Sequence, residues 1–224
     1  MLAATIDRAV LLWRFSPSNI ALPQSARKKM RAGSPRSDVI HAYIALHANK
    51  SETDMNIVAR EMLLSEVGII IDYFHNATPE HLETMGVDPS RLPRRGEWLE
   101  RQAKEFALPV EQRSSFATIW LAGDRPVGFS TCNPVVYGDR ANMHLHVIEP
   151  GNRQQGIGVQ GVRQSAAIYF ERLKLKHLFC EPNAFNVGPN RTLQKCGFKY
   201  LKTHMTVPGP INYHQAVTRW VMEP

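Results

Sequence analysis

The alternation of hydrophobic and polar residues predicts strands and amphipathic helices from about residue 51 onward. Strands are expected where β-branched and aromatic residues cluster or alternate with polar ones. In chain order they are residues 67–74, 116–121, 127–133, 143–148, 177–180, 200–206 and 216–222. Helices are expected where apolar residues recur every three or four positions or where capping residues mark an end. They are residues 79–86, 95–106, 158–173 and 189–195.

This order of elements predicts an α/β fold with a mixed, mostly antiparallel central sheet and helices on both faces. The turn at residues 123–126 joins two consecutive strands into a hairpin. Thr78 followed by Pro79 is a typical helix start, and Gly86 and Gly197 are typical helix ends. Trp120 lies within a hydrophobic strand and is expected in the core.

The formal net charge of +7 belongs almost entirely to the first part of the chain. Residues 1–50 carry eight basic and two acidic side chains, whereas the remainder carries 19 basic and 18 acidic ones. We therefore predict a basic, flexible N-terminal extension over residues 1–54 and one folded domain over residues 55–224. The extension could instead contact an anionic surface or nucleic acid, or act as an organelle transit peptide. Nucleic acid is not the expected partner, and the expected location is the cytoplasm, with an organelle as the alternative.

Two further features restrict the class of protein. No apolar run approaches the roughly 18 residues that cross a membrane, so no membrane partner is expected. Cys132, Cys180 and Cys196 are widely spaced and form no paired motif, which predicts neither a disulfide framework nor a metal site. Oligomeric state is left open, with a homodimer as one option.

The segment Met143–Gly158, MHLHVIEPGNRQQGIG, carries the clearest functional signal. It consists of an alternating strand, a turn, a polar loop and two glycines that open a helix. The first turn of a helix exposes unpaired N–H groups and the positive end of the helix dipole. Glycines let a phosphate approach those groups closely, so this pattern predicts a pyrophosphate site.

This loop resembles a known acetyl-CoA motif. Residues 153–158, RQQGIG, are similar to the (Arg/Gln)-x-x-Gly-x-(Gly/Ala) loop of the GNAT N-acetyltransferases. A second segment resembles the Asn…Asn-Arg-x-Leu-x-Lys-x-Gly-Phe pattern of the same family, closest to its ribosomal-protein N-terminal acetyltransferase branch. Its matching residues are Asn186, Asn190, Arg191, Leu193, Lys195, Gly197 and Phe198. Two linked motifs are more specific than a lone Gly-x-Gly.

The resemblance implies a GNAT fold in which the fourth and fifth strands splay apart and acetyl-CoA, the donor, binds in the opening. It implies cofactor-binding roles for Val147, Ile148, Glu149, Arg153, Gln154, Gln155, Gly156, Ile157, Gly158, Asn186 and Arg191. Gln154 and Gln155 depart from the usual Gly and Lys or Arg of the loop. The implied activity is acetyl transfer to a primary amine of a small molecule or a protein N-terminus by direct attack.

The catalytic candidates follow from the strand before the loop. His144 and His146 alternate with apolar residues and so share one face, and His can accept a proton near neutral pH. We expect one of them, more strongly His146, to take the proton of the amine, with Glu149 as the second choice. Family members often use a tyrosine as general acid at the position of Leu193, so that acid is absent here.

Three residues are candidates for contact with the acceptor: Asp72, Tyr73 and Tyr213. The missing tyrosine and the altered loop also suit an alternative function, a non-catalytic domain that binds acetyl-CoA as a sensor or scaffold. A third hypothesis is a nucleic-acid-binding module that acts through the basic extension.

Overall fold

A seven-stranded sheet organises the part of the chain that the structure describes, a computed structural model with residues 56–149, 151 and 155–224 described. The predicted extension, residues 1–54, therefore lies outside the described residues. The strands are β1 (Ile57–Glu61), β2 (Phe116–Ala122), β3 (Arg125–Val136), β4 (Arg140–Val147), β5 (His177–Cys180), β6 (Lys199–Thr206) and β7 (Gln215–Met222). Their order across the sheet is β1-β2-β3-β4-β5-β7-β6.

The sheet is mixed and mostly antiparallel, as predicted. Strands β1 to β4 pair antiparallel with their neighbours, and β7 pairs antiparallel with both β5 and β6. The β4–β5 pair is parallel, because the chain crosses one face of the sheet as a helix between these two strands.

Five α-helices accompany the sheet among the described residues. They are α1 (Val67–His75), α2 (Pro79–Met85), α3 (Arg95–Ala107), α4 (Ile157–Leu173) and α5 (Val187–Cys196). Short 3₁₀ helices lie at Leu64–Glu66, Pro89–Arg91 and Val110–Gln112. The predicted caps are confirmed: the Thr78 side chain accepts a hydrogen bond from the His81 N–H, and Gly86 and Gly197 end their helices in the left-handed region.

The strand predicted over residues 67–74 is wrong, because this segment is helix α1. Its buried residues are Val67, Ile70, Ile71 and Phe74, a spacing that places them on one face of a helix. The β-branched residues of the segment favoured a strand, but the burial of this helical face against the sheet outweighs that preference. The first strand is instead Ile57–Glu61.

Helices cover both faces of the sheet, as predicted. On one face α4 and α5 pack over a core that includes Trp120, Tyr169 and Leu193. On the other face α1 and α2 pack over Ile119 and Phe129. Successive residues of β2 therefore point into opposite cores, as a strand that is buried on both faces requires.

Trp120 is fully buried and fills the space between the sheet and α4. A Cβ atom built on Gly161 of α4 would lie 2.2 Å from the indole, and one built on Gly128 of β3 would lie 2.3 Å from it. Both positions therefore need glycine because the ring approaches their backbones closely. The indole Nε1 donates a hydrogen bond to Ser165 Oγ at 2.8 Å, which fixes the ring against α4.

Membrane-spanning helices and metal sites were predictable features, and the described residues contain neither. None of their helices is both long and apolar enough to pass through a bilayer. Within the same residues, His, Cys, Asp and Glu side chains form no group of three that could hold a metal ion. Cys132, Cys180 and Cys196 are free, and burial raises the pKa of each thiol.

Candidate active site

The site begins where β4 and β5 separate. The two strands pair only from Arg140 to Met143 on β4, whereas β4 continues to Val147. The Ile148 N–H donates to the Val127 carbonyl on β3 at 3.0 Å. In an antiparallel ladder alternate residues bond to the same neighbouring strand, so the N–H and C=O groups of Leu145 and Val147 face the opposite side, toward β5. An extended ligand could pair with these groups as an added strand does. Of the predicted residues, Val147 fits this role, and Leu145 was missed.

The N-terminus of α4 provides the second part of the site. Gly156 occupies the N-cap position with φ +78°, and no side chain caps the first turn. Among the described residues, a Cβ built on Gly156 would have only Gln160 Nε2 within contact distance, at 4.0 Å. Gln155 Nε2 donates to the Gly151 carbonyl at 2.9 Å. The first-turn N–H groups of α4 can therefore receive a pyrophosphate, as the sequence predicts.

Two predicted loop residues, Arg153 and Gln154, lie outside the described residues. Helix α5 lies beside the first turn of α4, since a Cβ built on Gly158 would come within 3.5 Å of Thr192. The side chain of Arg191, the neighbouring residue on α5, is exposed and so can reach a negatively charged ligand.

Asn186 and Asn190 differ in their roles at the start of α5. Asn186 is the N-cap residue, and its Nδ2 lies 3.4 Å from the Thr84 carbonyl. Asn190 Nδ2 donates to the Asn186 carbonyl at 2.8 Å, while its Oδ1 accepts from Trp220 Nε1 at 2.9 Å. Asn190 therefore fixes the start of α5 to β7.

His146 is packed among aromatic rings. Its ring centroid lies 4.8 Å from that of Phe129, 5.0 Å from that of Tyr73 and 5.2 Å from that of Phe74. Burial, with smaller contributions from the nearby His144 and His81, lowers the pKa of His146 to about 3. His146 is therefore neutral near pH 7 and a weak proton acceptor.

This environment predicts that the protein loses stability in acid. An unfolded histidine has a pKa of about 6.5, so between that value and about 3 the unfolded chain binds more protons at this position than the folded one. The free energy of unfolding should therefore fall as the pH decreases from about 6.5 toward 3, with a loss of about 2 kcal/mol by pH 5. Urea denaturation at pH 7 and pH 5 measures this, and His146→Phe should remove most of the difference. The exposed His177 provides the control, since His177→Phe should keep the wild-type difference.

His144 lies on the same face of β4 but in a different environment. The Ser130 hydroxyl donates to the His144 carbonyl at 2.6 Å, which fixes the strand backbone at this position. Burial lowers the pKa of the His144 ring, while a hydrogen bond to the Asn133 backbone and the charge of Glu181 oppose this shift. Of the two histidines, His144 is therefore the better placed to accept a proton.

The remaining catalytic candidates are less favourable. Glu149 is exposed and lies 3.6 Å from Arg125 as an ion pair just beyond the end of β4. Leu193, at the position of the tyrosine acid in similar proteins, is fully buried in the core beneath α5. That position therefore supplies no general acid.

The predicted acceptor residues are not all in one place. Tyr73 contacts His146, and its hydroxyl lies 2.8 Å from His81 Nε2 and 3.3 Å from Met85 Sδ. Asp72, the preceding residue of α1, points to the exposed side and pairs with Arg95. The structure therefore does not bring Asp72 to the side on which Tyr73 and the histidines meet.

Tyr213 lies in the loop between β6 and β7 and lines a cleft of about 370 Å³. The other residues that line it are Pro79, Glu83, Val87 and Pro89. The same loop reaches His144, because a Cβ built on Gly209 would lie 3.9 Å from its ring. The β6–β7 loop therefore lies between the cleft and the candidate base.

Gly86 joins this loop to α2, which the sequence did not indicate. Its carbonyl accepts hydrogen bonds from the Tyr213 N–H at 3.0 Å, Asn212 Nδ2 at 3.0 Å and Gln215 Nε2 at 2.9 Å. A Cβ on Gly86, whose φ is +67°, would lie 1.9 Å from Gln215 Oε1. Glycine suits this position, and the three bonds hold the β6–β7 loop and the start of β7 against the end of α2.

Known proteins agree with this geometry. The family model for the acetyltransferase (GNAT) domain matches residues 37–199. Curated protein sequences give no significant match.

Solved structures share the fold. RimL, a ribosomal L7/L12 alpha-N-protein acetyltransferase in complex with coenzyme A, has a TM-score of 0.58 and 14% identity, covering 75% of this chain and 93% of RimL. Spermidine N-acetyltransferase from Vibrio cholerae in complex with CoA and spermine has a TM-score of 0.59 and 12% identity, and the match covers 75% of this chain and 95% of that enzyme. Aminoglycoside acetyltransferase AAC(6')-Ib in complex with coenzyme A has a TM-score of 0.56 and 15% identity, also with 75% and 95% covered.

The family model matches most of the chain, and the similar solved structures share its fold. The chain therefore belongs to the GNAT acetyltransferase family and is an acyl-CoA-dependent N-acyltransferase.

Proposed function

We propose that the protein transfers the acetyl group of acetyl-CoA to a primary amine of a small molecule or a protein N-terminus. The observation that carries this proposal is the stretch of β4 that pairs with β3 but not with β5, followed along the chain by the first turn of α4, which has no side-chain cap among the described residues. The stretch suits the extended arm of the donor, and the helix start suits its pyrophosphate. The named activities of the similar solved structures, on a ribosomal protein, spermidine or an aminoglycoside, support an amine acceptor.

The residues of the site suggest a direct transfer. The amine nitrogen attacks the thioester carbonyl, the C–N bond forms, the C–S bond breaks, and coenzyme A leaves as the thiolate. His144 takes the proton that the amine loses, directly or through a water molecule. Since Leu193 offers no proton, water supplies the one that the thiolate finally takes. Much of the rate enhancement then comes from holding donor and acceptor together.

The proposal is tested by thiol release from acetyl-CoA with a panel of amines. The panel contains a polyamine, an aminoglycoside, free amino acids and short peptides with free N-termini. We expect release with at least one class, together with a stoichiometric N-acetyl product by mass spectrometry. If acetyl-CoA binds but no amine gives release, the alternative function, a non-catalytic acetyl-CoA sensor or scaffold, replaces the proposed one.

A further inference from the structure

The carboxylate of Glu181 is close enough to His144 for its charge to act on the imidazole. The last paired residues of the parallel ladder are Met143 and Cys180, so His144 and Glu181 are the first residues after the ladder, one on each side of the opening. Neighbours in register on parallel strands project from the same face of the sheet. His144 and Glu181 therefore stand on the two sides of the opening, on the face that also carries His146.

Glu181 is held firmly in this position. Its side chain is only 8% exposed, and Arg219 Nη1 on β7 donates to its Oε1 at 3.0 Å. The Arg219 guanidinium in turn lies 4.3 Å from the centre of the Phe179 ring. His204 Nε2 on β6 lies 3.5 Å from the same carboxylate oxygen. A carboxylate with so little exposure is retained only when such partners compensate for lost hydration.

The burial of Glu181 is not needed to form its ion pair with Arg219. Burying Glu181 requires desolvation of its charge, and an exposed Glu–Arg pair would serve the fold equally well. His204 Nδ1 is buried and has no hydrogen-bond partner among the described residues, so the cluster also leaves one polar group unsatisfied. A role in the reaction would explain why a charge is kept at the mouth of the opening.

We propose that Glu181 is a positioning residue that orients His144 and stabilises its protonated form during acetyl transfer, while Arg219 and His204 hold the carboxylate in place. The inference rests on the proposed function, because it needs His144 to receive the amine proton. A fixed negative charge beside the imidazole favours the imidazolium ion, and it opposes the effect of burial. Among the described residues, His146 also acts on His144 and remains neutral, while Arg219 and His204 contact the Glu181 carboxylate.

The test replaces Glu181 by glutamine, which keeps the shape of the side chain and removes its charge. In Glu181→Gln the imidazole pKa of His144, followed by NMR, should fall by about one unit. The acid limb of the kcat profile should move to lower pH by the same amount, and kcat should fall roughly tenfold. The Kd for acetyl-CoA should change less than about twofold, since Glu181 is not placed on the donor.

A matched control exists at the other end of β5. Glu223 lies 3.9 Å from His177 as another glutamate–histidine pair, but both side chains are exposed. Glu223→Gln should leave kcat and its pH profile unchanged. Glu181→Asp keeps the charge one methylene further from its neighbours and should give a pKa for His144 between those of the wild type and Glu181→Gln.

The outcomes separate this inference from the proposed function. If the wild type turns over and Glu181→Gln changes neither the His144 pKa nor the acid limb, Glu181 is structural and the inference is overturned. If no amine is acetylated but the His144 pKa falls in Glu181→Gln, the proposed function fails while the coupling of Glu181 to His144 stands. If Glu181→Gln does not fold, an unchanged His144 pKa in Glu181→Asp overturns the inference.

Discussion

Gly156→Glu should abolish acetyl-CoA binding, raising the Kd at least 100-fold or so in isothermal titration calorimetry. Gly156 has φ +78° at the N-cap of α4, where any side chain strains the backbone. The new carboxylate would also lie in front of the first-turn N–H groups and repel the pyrophosphate. The variant should likewise lose the increase in melting temperature that saturating acetyl-CoA gives the wild type.

Gly138→Glu is the control for this change. Gly138 also has a positive φ, +75°, and a Cβ there would meet nothing within 4 Å. It lies in the β3–β4 turn, at the opposite end of β4 from the opening. This variant should bind acetyl-CoA as the wild type does. Wild-type affinity in a folded Gly156→Glu protein would show that the start of α4 does not hold the pyrophosphate.

His144→Ala should lower kcat by about 10²-fold and leave the Kd for acetyl-CoA nearly unchanged. The physical reason is that the amine loses its proton acceptor while the donor contacts remain. The acid limb of the pH–rate profile should flatten, since the group that titrates there is gone. Steady-state kinetics with the best amine of the panel, from pH 5.5 to pH 9 or so, measure both effects.

His146→Ala and His177→Ala complete this experiment. The His146 ring has a pKa of about 3, so its removal should change stability more than the pH–rate profile. The His177 side chain is exposed on β5, so His177→Ala should change neither kcat nor the pH–rate profile. Wild-type kinetics in His144→Ala, with a 10²-fold loss in His146→Ala, would instead assign the base to His146 as the sequence suggested.

The sequence predicted most elements of the fold because their signals are local. Thr78, Pro79 and Gly86 mark a helix by capping chemistry alone, and the structure confirms each of them. The strand prediction for the segment Val67–His75 was wrong because its apolar residues fit both the period of a strand and that of a helix. Val67, Ile69 and Ile71 alternate as in a strand, and only packing against the sheet selects the helical face.

The wrong strand prediction for Val67–His75 also explains why the surroundings of His146 were not predicted. The alternation of His144 and His146 correctly predicted a shared face, but it gave no information on what covers that face. Tyr73 and Phe74, which surround His146, come from the segment predicted as a strand. The environment of Glu181 depends likewise on His204 of β6 and Arg219 of β7, which lie 23 and 38 residues further along the chain.

Trp120 has a consequence for donor binding as well as for the core. The indole separates β3 from α4 at the level of Gly128 and Gly161, and α4 begins only one turn before Gly161. The thickness of one aromatic ring therefore sets how far the first turn of α4 lies from β3. Since we propose that this turn binds the pyrophosphate of the donor, a core residue that contacts no substrate also affects where the donor is held.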